Sequence, residues 1–186
     1  MTKPPANPWA LPQAFSEYWV DAWQRTVLTW DLLRQRGNQY LEHEESGQPP
    51  VLVFDYDMVL DARTLAKPAN YALVRIKPPA DCPAGDAAKR PFVVIDPRAG
   101  HGPGIGGFKI DSEIGIALKH GHPCYCVMFF PQPVPGQTIE SVCAAEVQFL
   151  RKVGELHPDA DKPFVIGNCQ GGWALLMAAS LAPDAV

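Results

Sequence analysis

Apolar residues follow two different rhythms along this chain, and the change from one to the other divides it. Across residues 8–36, Phe15, Trp19, Ala22, Trp23, Thr26, Trp30 and Leu33 recur at helical spacing, which gathers them into one aromatic stripe. Asn7 is placed to cap this helix and Pro8 suits its first turn. Pro12 blurs its start, and Gly37 is placed to end it. The stripe fits packing against the rest of the protein; the sharper alternative is a docking face for a second copy, a partner or a granule or lipid surface. Residues 1–42 thus read as an aromatic-rich helical segment, and residues 43–50 (HEESGQPP) as a polar linker.

From residue 51 onward, short apolar runs alternate with helical periods. Residues 51–57, 71–77, 92–96, 124–130 and 164–167 read as strands, the first two as a pair. The runs FVVI and CYCVMFF are apolar throughout, as expected of strands buried on both faces. A helix is predicted over residues 111–120, with Asp111 and Glu113 in its first turn and Gly121 as its stop. Another over residues 138–153 gathers Ile139, Val142, Cys143, Phe149, Leu150 and Val153 on one face, and a third spans residues 171–181. Strands and helices alternate from Phe92 on, which implies parallel strands and right-handed crossovers. The expected fold class is α/β, a mostly parallel sheet with flanking helices, filling residues 51–186.

Composition narrows the function classes. With 186 residues, 47% of them hydrophobic, the chain is long enough for a globular core. A net charge of −4 offers no basic surface for nucleic acid. The histidines are scattered, and Cys124 and Cys126 fall on one face of a strand, which suits small buried hydrophobes better than a metal site. No metal or cofactor is expected. The N-terminus has no secretory pattern and no apolar run approaches ~18 residues, so the expectation is a cytoplasmic protein with reduced thiols and no membrane span.

The chemistry concentrates in Phe164-Val165-Ile166-Gly167-Asn168-Cys169-Gln170-Gly171-Gly172-Trp173. An apolar run meets Gly-x-Cys-x-Gly and then an Ala/Leu-rich helix, the strand–elbow–helix context that presents a nucleophile above a sheet. Gly167 and Gly171 allow strand and helix to pass close to a residue held in a tight turn. Upstream, directly after FVVID, comes Pro97-Arg-Ala-Gly-His101-Gly102-Pro-Gly104-Ile-Gly-Gly107. A loop at that place supplies backbone N–H groups to an oxyanion, often from a His-Gly-Gly-Gly type sequence, and His101, Gly102 and Gly104 match that role together with the backbone N–H of Gln170.

Two competing motifs carry less. Gly102-x-Gly104-x-x-Gly107 matches a dinucleotide fingerprint, but its helix begins too late and the next strand lacks the acid that holds a ribose. Asp55-x-Asp57 after an apolar run is similar to the first motif of haloacid-dehalogenase-type phosphotransferases. The required helix does not follow it, and solvated acids at an edge strand fit better.

With elbow and glycine loop together, the chain resembles the polyhydroxyalkanoate-synthase-like branch of the α/β-hydrolase superfamily, whose synthases carry Cys in a Gly-x-Cys-x-Gly box. DPRAGHGPGIGGFK, DSEIGIALKHGHP and FVIGNCQGGWA resemble an uncharacterised bacterial synthase-like group. The resemblance implies acyl transfer from a 3-hydroxyacyl-CoA thioester to Cys169, with an ester or thioester hydrolase and a non-catalytic docking module as alternatives. It also implies an Asp and a His downstream of the nucleophile. No His follows Cys169, so the sequence reads as the N-terminal half of such a fold, inactive by itself.

Overall fold

The computed structural model describes residues 10–98 and 105–186. Contacts divide the chain into two compact units, Met1–Gly47 and Gln48–Val186. The first holds α1 (Ala10–Glu45), which runs through Gly37 instead of ending there. A mid-helix glycine costs only about 1 kcal/mol against alanine, and the good helix formers Leu41, Glu42, Glu44 and Glu45 carry the helix on. The left-handed residue that ends it is Gly47, at φ 83°. Ion pairs Arg25–Asp21 and Arg34–Asp31, both at 2.8 Å, lie on its surface. Trp19, Trp23 and Trp30 are all exposed, and Phe15 meets Trp19 edge-on with centroids 6.0 Å apart. No described helix is long and apolar enough to cross a membrane.

The second unit is an α/β layer structure. Its strands are β1 (Tyr56–Asp61), β2 (Tyr71–Ile76), β3 (Phe92–Ile95), β4 (Cys124–Phe129) and β5 (Phe164–Gly167). Its helices are α2 (Glu113–Lys119), α3 (Ile139–Leu156) and α4 (Gln170–Leu181). The five strands form one sheet in the order β1-β2-β4-β3-β5. The β4–β3 and β3–β5 pairs are parallel, as the helical crossovers require. The β1–β2 and β2–β4 pairs are antiparallel, so the sheet is mixed, with two parallel and two antiparallel pairings. The connection between β1 and β2 contains only a short helical turn, too little for a parallel crossover.

The first strand begins later than the apolar run 51–57 predicts. Leu52 and Phe54 turn into the core instead of alternating along a ladder, and the Val53 N–H donates to the Gly107 carbonyl at 3.0 Å. Burial of two large side chains outweighs a few ladder bonds. Asp55 and Asp57 remain exposed at this edge, with Asp57 paired to Lys77 at 2.7 Å.

Alternation along the strands separates two cores. Ala72, Val74, Val94, Cys124 and Cys126 face α2 with Ile114 and Leu118. Leu73, Val93, Ile95, Tyr125 and Val127 face α3 and α4 with Phe149, Leu150 and Val153. Burial pushes the Cys124 thiol up to about 12 and the Cys126 thiol well above its ordinary value, consistent with inert small hydrophobes. Ser112 caps α2, so Glu113 lies in its first turn while Asp111 stands just before the cap, and Thr138 caps α3 in a reciprocal box with Ser141.

Candidate active site

β3 and β5 lie side by side in register, with Ile95 opposite Gly167. The chain leaves β3 toward α2 on one face and leaves β5 toward α4 on the other. Diverging connections open a crevice at the carboxyl ends of such strands, the usual ligand position in open α/β sheets. The β5–α4 turn sits there.

Cys169 occupies this turn at φ 49° and ψ −115°. A non-glycine residue in this sparsely populated region carries about 1–3 kcal/mol of strain. Neighbouring contacts hold it in place. The Asn168 N–H donates to the Ile95 carbonyl (3.3 Å), the Gly171 N–H to the Asn168 carbonyl (2.8 Å) and the Gly172 N–H to the Cys169 carbonyl (3.0 Å). The Asn168 side-chain amide donates to the Glu113 carboxylate at 2.8 Å, tying the turn to the start of α2. The backbone is packed so closely that a Cβ on Gly167 would lie 2.7 Å from both the Gly171 oxygen and the Gly172 Cα.

The side chain of Cys169 is exposed and lines an open groove of about 540 Å³ with Pro97, Gly106, Phe108, Lys109, Ser112 and Glu113. Cys82 is half-buried, while Cys124, Cys126 and Cys143 are buried with thiols pushed up mainly by desolvation. Brief treatment with iodoacetamide is therefore expected to alkylate Cys169 about tenfold or more ahead of the three buried thiols, as read by peptide mass mapping. Equal labelling of the Cys143 peptide would contradict the exposed elbow.

Gln170 opens α4, where a helix leaves its first backbone N–H groups unpaired. His101, Gly102 and Gly104 lie outside the described residues. The described end of their loop is anchored, since the Asp96 carboxylate accepts from the Gly106 N–H at 3.5 Å. His120, His122 and His157 do not approach the elbow: they lie at the opposite, amino edge of the parallel strands. There His157 Nε2 is 2.8 Å from Tyr125 Oη, and His122 Nδ1 is 2.9 Å from the Arg90 carbonyl oxygen. Among the described residues no cluster of His, Cys, Asp and Glu is arranged to hold a metal ion.

Sequence reasoning missed a second depression, about 270 Å³, at the same end of the sheet but on the α3/α4 side. Gln170 and Gly171 line it with Asp96, Arg98 and Glu146. Behind it stands a part-buried network. Arg98 donates to the Asn70 side-chain oxygen at 2.9 Å, Gln137 donates to the same oxygen at 2.7 Å, and the Asn70 backbone N–H donates to the Gln137 side-chain oxygen at 2.8 Å. Glu146 was legible in principle. It falls within the apolar stripe of α3, four residues beyond Val142 and four before Leu150.

Desolvation raises the Glu146 carboxyl from its ordinary 4.5 to about 8. The folded state therefore keeps a proton that the unfolded chain releases, and stability falls as pH rises from about 4.5 to about 8. At pH 7 the cost is of order 3 kcal/mol. Glu146→Gln is expected to recover most of it near neutrality and to flatten the decline, as read by urea unfolding at several pH values. A variant with the same pH slope as the parent would show that the decline arises elsewhere.

Comparison with known proteins gives the chain relatives. A Rhizobium meliloti protein described as "Uncharacterized protein in ackA 5'region" is 59% identical over 168 residues, which cover 90% of this chain and 23% of that protein. The chain thus spans about a quarter of that relative's length. No solved structure matches. Residues 21–186, holding the elbow, the glycine loop and both depressions, match a family profile, and the chain belongs to the family described as "Protein of unknown function (DUF3141)".

Proposed function

We propose that this chain carries the nucleophile of a Cys-dependent acyltransferase of the α/β-hydrolase type, similar to polyhydroxyalkanoate synthases and acting on 3-hydroxyacyl-CoA thioesters. The observation that carries the reading is the exposed Cys169 in a strained turn between a parallel strand and a helix, at the crevice end of the sheet. Strain of this kind persists only where surrounding structure enforces it, and it clusters at functional sites.

The chemistry follows from those parts. The Cys169 sulfur attacks the thioester carbonyl carbon. A carbon–sulfur bond forms as the carbonyl electron pair moves to oxygen, and that oxyanion is met by the Gln170 N–H and an amide from residues 101–104. Collapse restores the carbonyl and expels the coenzyme A thiolate, leaving the acyl group on Cys169. The thiol proton passes to a general base and from it to the departing thiolate. Exchange of one thioester for another is nearly level in energy, which suits a sulfur nucleophile. A hydroxyl group of a second acyl unit then attacks the acyl carbon; the carbon–sulfur bond breaks, an ester forms, and the hydroxyl proton returns through the base to the released Cys169 thiolate.

Of the histidines, His120, His122 and His157 sit at the wrong edge of the sheet to act as that base. The base and its orienting acid belong, on this reading, to other parts of the full-length protein.

The test uses the full-length protein with 3-hydroxybutyryl-CoA. Peptide mass mapping is expected to find the acyl group on Cys169, with polyester as product. Soluble 3-hydroxybutyrate without polymer would replace the synthase reading by a hydrolase. Absence of any acyl adduct would remove the enzyme reading and leave the exposed aromatic stripe of α1 as the ground for a docking role.

A further inference from the structure

α3 carries a carboxyl group where its apolar face is otherwise continuous. Glu146 is only 1% exposed, and among the described residues neither of its carboxyl oxygens has a hydrogen-bond partner. A buried polar group left unpaired costs about 1–3 kcal/mol, and folded proteins keep few of them. The other polar side chains of this region are committed: Gln137 and Asn70 satisfy each other, and Thr138 is used in capping α3. Glu146 instead forms part of the wall of the cavity of about 270 Å³ beside the elbow, facing Arg98 and Asp96, with Val142, Trp173 and Ala174 as apolar surface.

We propose that this cavity binds a small carboxylate, held by the Arg98 guanidinium and by the Glu146 carboxyl acting as hydrogen-bond donor. Arg98 gives one N–H to Asn70 and another to the Tyr71 hydroxyl, and of its five N–H groups it keeps others to spare. Its charge disfavours a cationic ligand. Asp96 already accepts from the Gly106 N–H, and its negative charge balances that of Arg98. A further anion is accommodated only if Glu146 stays protonated, and burial holds that proton up to about pH 8. An O–H donor facing a carboxylate makes a short, charge-assisted bond. Among the described residues, the ionisable groups facing Glu146 are Tyr71 from β2, Asp96 and Arg98 beyond β3, and Cys143 one turn back on α3; none of these adds a second cation. The open groove bearing Cys169 has different walls, so this site does not depend on the chemistry assigned to the thiol.

Isothermal titration of the full-length protein with sodium butyrate tests the site. Because binding needs the protonated carboxyl, affinity is expected to be roughly tenfold weaker at about pH 9 than at about pH 6.5. Glu146→Gln keeps an N–H donor and cannot ionise, so it should bind with no such difference between the two conditions. Arg98→Met should weaken binding at least about tenfold at both. Equal or tighter binding at the higher pH, an unchanged pH difference in Glu146→Gln, or tighter binding of propylammonium than of butyrate would each overturn the proposal. So would failure of butyrate to bind at all. Glu146→Gln removes a buried ionisable group at constant shape, so its result stands even if Arg98→Met fails to fold.

Discussion

Cys169→Ala in the full-length protein is expected to abolish acyl capture from 3-hydroxybutyryl-CoA, with turnover falling by about four to six orders of magnitude. The size of the effect follows from the mechanism. Without the sulfur no covalent intermediate forms, and the remaining parts of the site only bind and polarise the thioester. The exchange removes one exposed atom, so stability should change little or rise slightly as the bend loses its bulkier side chain. That separates a chemical loss from a folding loss. Turnover retained within tenfold of the parent would mean that the elbow is not the seat of the reaction, however strained its backbone. Cys169→Ser makes a useful companion. It keeps the shape of the turn but replaces a thiol by a much weaker nucleophile, so it should also lose nearly all activity.

The second large effect concerns the backbone beneath that sulfur. Gly167→Ala is expected to destabilise the fold by about 2–4 kcal/mol, as measured by denaturant unfolding. Its new methyl group would stand 2.7 Å from the Gly171 oxygen and the Gly172 Cα. Neither neighbour is a side-chain end that can swing aside; both belong to the first turn of α4. Relief requires β5 and α4 to separate, which would pull Asn168 from the Ile95 carbonyl and from Glu113. A loss of thiol reactivity at Cys169 should therefore accompany the loss of stability. A neutral Gly167→Ala would show that strand and helix are not packed this closely.

These two outcomes depend on different kinds of information, and the contrast runs through the whole chain. The apolar runs FVVI and CYCVMFF were legible as strands because burial on both faces leaves few residue types usable, and FVIG, half-exposed at the sheet edge, was legible as a short apolar run stopped by glycine. Helix α3 was legible because Val142, Phe149, Leu150 and Val153 share one face. The elbow was legible because its glycines and cysteine follow an apolar run and precede a helical one. Local reasoning failed where distant packing decided. Residues 51–55 look like a strand, yet Leu52 and Phe54 fill the α2 side of the core instead. Gly37 looks like a stop, yet the helix continues at a cost of about 1 kcal/mol.

Sequence periodicity by itself thus determined the alternation of strands and helices, the parallel sense of β3, β4 and β5, and the bend that exposes Cys169. It does so because each rests on residues adjacent in the chain, whose spacing fixes which face they present. The tertiary structure alone decided that β2 joins β4 antiparallel, so that the sheet is mixed. It alone decided that Glu146, Arg98 and Asp96 line one cavity, and that His120, His122 and His157 lie away from the elbow. Those pairings join segments tens of residues apart, and their energies come from burial and strand register that no short stretch of sequence contains.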